Sequence, residues 1–98
     1  MTALTMWDYR TREATDLTED EILNEVGEEG WELIDLGPMA LHLRRPHDRA
    51  LHIQWEYVRH DGAINAEERQ HLLTQGWQPA SHSAAFHYFK RPKGIYRN

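Results

Sequence analysis

Cysteine is absent from this chain, so neither a disulfide framework nor thiolate chemistry is open to it. A secreted domain of this size more often carries disulfides, which makes the cytoplasm the expected compartment. Long apolar runs are missing too: no stretch approaches the roughly 20 residues a membrane-spanning helix needs, so no membrane partner is expected. Met1–Met6 shows no basic segment followed by an apolar run, and a signal peptide is not expected. The chain has no serine in a nucleophile elbow, no phosphate-binding glycine loop and no dinucleotide fingerprint. No local signature of catalysis or of a cofactor remains, and a small enzyme is the least favoured reading. Positive charge is in deficit, with a net charge of −5. Phosphate contacts need a concentrated positive surface, so nucleic acid is an unlikely general partner.

What the chain has is a repeat. Trp7-Asp8-Tyr9, Gly30-Trp31 and Arg45-Pro46 return as Trp55-Glu56-Tyr57, Gly76-Trp77 and Arg91-Pro92. The Gly-Trp and Arg-Pro landmarks are spaced identically in both halves, and only the earlier loop differs, by two residues. A period of this length is one supersecondary unit, and two such units complete one another's core. We place the units at residues 6–46 and 54–92 within a single domain, 1–98. Residues 1–50 carry twelve acidic and five basic side chains, net −7, whereas residues 51–98 carry four and six, net +2. Opposite charge favours docking of the halves, or gives the molecule an acidic and a basic face.

Trp7 and Tyr9 alternate with Asp8 and Arg10, the period of a half-buried strand over Met6–Glu13. Thr18 with Glu21 three residues on reads as a capping box, and Ile22, Leu23 and Val26 form a stripe at helical spacing. Gly30 ends that helix in the left-handed conformation, and Trp31 folds back onto its apolar face. Strands follow at Glu32–Leu36 and Met39–Arg45 around a Gly37-Pro38 turn, and Pro46–Ala50 links the units. The second unit alternates from Leu51 through Tyr57, then caps a helix with Asn65 and Glu68. Leu72 and Leu73 are expected to anchor that helix, and Gly76-Trp77 to close it. Pro79 predicts a short or edge strand, and Ala85–Arg91 forms the last one. The expected fold is α+β: a duplicated β-α-β-β unit with pseudo-twofold symmetry and both helices on one face of a mainly antiparallel sheet.

The run EILNEVGEEGWELIDL, the opening Trp-Asp-Tyr and the Arg-Pro endings make the chain resemble domain of unknown function 4177, present as two tandem copies. That family consists of small bacterial and phage proteins with a Gly-x-x-Gly-Trp-Glu-Leu helix end, matched here by Gly27, Gly30, Trp31, Glu32 and Leu33. Phe89-Lys90-Arg91-Pro92 matches its closing strand. In the second copy Leu73 replaces the first glycine and Gln78-Pro79 replace Glu-Leu. The resemblance implies a compact β-α-β-β unit and carries no catalytic residue.

Candidate binding residues are Trp7, Tyr9, Trp55 and Tyr57, whose rings could line a cleft, with Lys90 and Arg91 beside them. Gly30, Trp31, Gly76 and Trp77 are read as structural. The seven histidines show no ligand spacing, and no metal is expected, although His82 and His87 flank the last hairpin and could approach one another. Glu21, Glu25, Glu28, Glu29 and Glu32 read as a solvated acidic helix face. The best functional reading is a non-catalytic binding module for an unknown protein or small-molecule partner, using an exposed face or the groove between units. Alternatives are an accessory nucleic-acid binder using the basic segment from Lys90 to Arg97 and a phage-type inhibitor or ligand sponge. The strands Leu51–His60 and Phe86–Arg91 are candidate open edges for self-association. As core, Trp31 should cost about 3–5 kcal/mol when replaced by alanine. A Trp31→Ala variant melting within about 2 °C of the parent contradicts that assignment.

Overall fold

The aromatic–polar alternation at the start folds as β1 (Trp7–Glu13), followed by α1 (Glu19–Glu28), β2 (Glu32–Gly37) and β3 (Ala40–Pro46). After one 3₁₀ turn at Arg49–Leu51 come β4 (Ile53–Asp61), α2 (Ala66–Thr74), β5 (Gln78–His82) and β6 (Phe86–Ile95). This computed structural model describes residues 5–83 and 85–95. Met1–Leu4 and the Tyr96 and Arg97 of the basic ending lie outside the described residues. The fold is α+β, with two helices and two three-stranded antiparallel sheets ordered β1-β3-β2 and β4-β6-β5. Each half therefore repeats both its element order and its strand order, and the strands divide into two sheets, one per half.

Both helices end in the same way. Gly30 and Gly76 take φ of +92° and +88°, and the following tryptophan amides bond back to Val26 O and Leu72 O at 3.1 Å. Arg45 then donates to Glu29 O (2.8 Å) and lies 4.3 Å over the Trp31 ring; Arg91 donates to Gln75 O (2.9 Å) and lies 4.2 Å over Trp77. A guanidinium at the negative end of a helix satisfies a terminal carbonyl and stacks on the indole in one move. The repeated Gly-Trp and Arg-Pro landmarks are thus the two halves of one helix-end lock.

The helix starts differ. Asn65 Oδ1 accepts from Glu68 N at 2.7 Å, and its amide donates to Glu68 Oε1 at 2.8 Å, as its position predicts. Thr18 makes no such cap. Its hydroxyl instead accepts from Thr15 N (2.9 Å), spending the side chain on the turn before the helix. Leu51 sits 52% exposed in the 3₁₀ turn, so the strand begins two residues later than its alternation suggests. β6 runs on through Arg91-Pro92, and the ladder absorbs the missing proline amide by a register shift at Gln54/Trp55 opposite Pro92. Pro79 does mark an edge strand, with a shift of its own.

The two units share one core. Leu23, Val26, Trp31, Leu33, Leu41 and Leu43 of the first cluster with Trp55, Tyr57 and Tyr88 of the second. α1 carries the contact: a Cβ on Gly27 would lie 2.3 Å from Trp55 O and 3.0 Å from Tyr57 Cε2. α2 is different. It buries no residue, Leu72 is only half-buried and Leu73 is 41% exposed, so neither anchors the helix as expected. Its other residues, among them Glu67, Arg69, Gln70 and His71, are too polar to make an apolar stripe. A full twofold would pack α2 on β1 as α1 packs on β4, and among the described residues it does not.

Alanine for glycine inside a helix ordinarily stabilises by about 1 kcal/mol. At Gly27 the sign should reverse, with Gly27→Ala losing about 1–3 kcal/mol by urea denaturation because the methyl meets the β4 backbone. A variant more stable than the parent would show that α1 does not pack against β4 in this way.

Candidate binding face

Each sheet has a face under its own helix and a far face. In the first sheet Leu33, Leu41 and Leu43 lie beneath α1, and the register sends Trp7, Tyr9, Thr11, His42 and Arg44 to the far side. In the second, Val58, His60, Phe89 and Arg91 lie toward α2, where His60 bonds Glu68 at 2.7 Å. Trp55, Tyr57, Arg59, Tyr88 and Lys90 form its far side. By position in the repeat, Trp7 and Tyr9 correspond to Trp55 and Tyr57, and Arg44 to Lys90.

The far face of the second sheet is closed by the first unit. Tyr57 OH donates to Trp31 O (2.9 Å) and accepts from Leu33 N (2.8 Å), while Tyr57 N donates to Asn24 Oδ1 (3.1 Å). Tyr88 OH donates to the buried Glu19 (2.9 Å), and Arg59 to Asp16 O (2.6 Å). Lys90 Nζ bonds Glu32 Oε2 at 2.6 Å, with side-chain exposures of 11% and 12%. The other Glu32 oxygen accepts from Arg44 Nε at 3.0 Å, so one carboxylate ties the two sheets together. Glu32 therefore belongs to β2 and to this bridge rather than to a solvated helix face. Burial pushes the Tyr57 phenol well above its usual range, with the Glu32 charge adding to it and the Leu33 bond opposing. Burial also raises Tyr88, offset by Arg59 and reinforced by Glu19.

The matching face of the first sheet is open. Tyr9 is 68% exposed, Thr11 and Glu13 are exposed, and Trp7 is half-buried beneath the Arg44 guanidinium at 4.0 Å. β1 is also an edge strand, with no strand on its outer side among the described residues. The two strands expected to offer open edges do not: α1 lies along β4, where Gln54 also donates to Glu28 O (3.1 Å), and β6 is central in its sheet.

The structure thus separates the candidate residues. Trp7 and Tyr9 lie on the open face, whereas Trp55, Tyr57 and Lys90 are buried between the units. Arg91 is spent on Glu56 (2.7 Å), Gln75 O and the Trp77 ring. Gly30, Trp31, Gly76 and Trp77 stand in the helix-end locks, with Trp31 buried and Trp77 half-buried. Asn24 and Arg44 are the residues sequence reading passed over. An asparagine amid an apolar helix stripe was the available signal, since its side chain prefers a backbone partner to a helix interior.

A cavity of about 520 Å³ opens at the end of the first sheet, lined by Thr11 and Glu13 of β1 with Thr15, Thr18 and Met39, and so adjoins the open face. Another of about 260 Å³ lies by Arg69, Pro79 and the stacked rings of His82 and His87, 5.6 Å apart. Among the described residues no three His, Asp or Glu side chains are grouped to hold a metal ion, and no helix is long and apolar enough to cross a membrane. No family model, curated protein or solved structure matches the chain.

The raised phenols carry a pH dependence. In the unfolded chain both ionise near pH 10, while in the folded chain they stay protonated. Their contribution to stability is whole below about pH 10 and lost as pH rises past it, at about 1.4 kcal/mol per pH unit for Tyr57. By ¹³Cζ-tyrosine NMR, the Tyr57 and Tyr88 phenolates should appear only together with unfolding. Ionisation of both near pH 10 in a folded chain would contradict their burial.

Proposed function

We infer that the chain is a non-catalytic binding module that engages a protein or small-molecule partner through the open far face and edge of β1. One observation carries this reading: Tyr9 is exposed and Trp7 only half-buried beneath Arg44, where their repeat counterparts, Tyr57 and Trp55, are buried against α1. The surface offers a ring for stacking, a guanidinium already poised over Trp7, and the main-chain groups of an edge strand. These are recognition groups, and edge strands left open invite pairing or covering. Lys90 and Arg91, the start of the basic segment, are bound within the molecule and lend no support to a nucleic-acid reading.

The kinship with domain of unknown function 4177, as two diverged tandem copies, remains part of this proposal. The motif residues give it a physical rationale: Gly27 permits the close approach of α1, Gly30 and Trp31 close the helix, and Glu32 bridges the sheets. A cytoplasmic setting accords with the cysteine-free composition.

A photo-crosslinking amino acid placed at Tyr9, in the organism that makes the chain, tests the reading, with exposed Asp61 as the control position. Discrete adducts at position 9, absent at 61 and competed by unmodified chain, are expected. Equal labelling at both positions, or none at 9, would remove β1 as the binding face.

A further inference from the structure

Each unit carries a helix with an outward side and a sheet with a far face. Within the chain these surfaces are mated once, α1 of the first unit lying along the outer edge of β4 and against the Tyr57 ring on its far face. Among the described residues, one helix, α2, and one far face, that of β1, are left without partners of this kind. We propose that the partner on the β1 face is a second copy of this chain, which docks its α2 against Met6, Trp7 and Tyr9. This rests on the reading of β1 as the binding face and names its occupant.

Three observations support a second copy. First, the contact continues an interface the chain already makes. Leu73 occupies the repeat position of Gly27, whose missing Cβ points at Trp55 and Tyr57, and Gln70 occupies that of Asn24, whose amide oxygen accepts from Tyr57 N. A glutamine amide offers the same acceptor to the corresponding edge of β1. Second, the exposed apolar groups match: Leu73 is 41% exposed on α2, against Met6 at 73% and Tyr9 at 68%. A leucine in place of glycine holds the helix further out, so this contact is made through side chains where the internal one brings backbones together. Third, the halves that would meet carry net charges of −7 and +2. Charge of opposite sign steers the first unit of one copy toward the second unit of the next.

Because the two surfaces differ, the test is one of complementation. Tyr9→Glu and Leu73→Glu change exposed positions, and circular dichroism checks that both variants stay folded. By sedimentation equilibrium the parent chain should self-associate, and each variant alone should do so about tenfold or more weakly. Mixed together, the variants should recover a one-to-one complex, since the intact α2 of one meets the intact β1 of the other. A parent that stays monomeric to about 1 mM, a scale corresponding to only about 4 kcal/mol of binding, overturns the proposal. Loss in Tyr9→Glu with Leu73→Glu unaffected also overturns it, in favour of β1 pairing with β1. So does the absence of complementation. A monomeric parent that still gives discrete adducts with another protein from position 9 would sink the second copy and leave the binding face standing. Neither adducts nor self-association would sink both.

Discussion

The close approach of α1 to β4 is the contact on which the rest of this structure depends. A helix rests with its backbone almost on a strand only where no side chain intervenes, and at Gly27 the space beside Trp55 O is too small for a methyl group. That approach brings Asn24 within reach of the Tyr57 amide, and it lets the Tyr57 hydroxyl complete the hydrogen bonding of Trp31 and Leu33. Without it, a phenol and several main-chain groups would be buried unsatisfied, a cost of about 1–3 kcal/mol for each group. The two halves become one hydrophobic core through this seam and the contact of β2 with β5 beside it.

A second layer of the design is repeated rather than shared. In each half a glycine ends the helix, a tryptophan folds under it, and an arginine from the last strand holds both. These locks are local to each unit. The inter-unit contacts are not repeated. Glu32 joins Arg44 to Lys90, but its counterpart is the uncharged Gln78, and Gly27 has become Leu73. The residues of the helix-end locks are thus the same in both halves, whereas those that dock one unit on the other differ. The result is a chain with one helix mated and one unmated, and function is best sought where the unmated surfaces lie.

Much of this was legible in the order of residues. The β-α-β-β plan, the helix-ending glycines, the Asn65 cap and the edge position of the Pro79 strand follow from local conformational preferences, which act over a few residues and leave periodic marks. Thr18 shows where such marks mislead. Its spacing to Glu21 suits a capping box, yet the hydroxyl is taken by Thr15 N, because a short side chain bonds whichever nearby amide the turn presents first.

Residue order alone determined that the chain is built twice on one α+β plan, with a tryptophan behind each helix. Tertiary structure decided which of two like-spelled strands is covered. Trp7-Asp8-Tyr9 and Trp55-Glu56-Tyr57 carry the same local signal, but Tyr9 is open and Trp7 half-buried, whereas Trp55 and Tyr57 are sealed. The physical reason is that burial depends on what approaches from outside the strand. That approach was set by a glycine and an asparagine on α1, whose counterparts on α2 are a leucine and a glutamine.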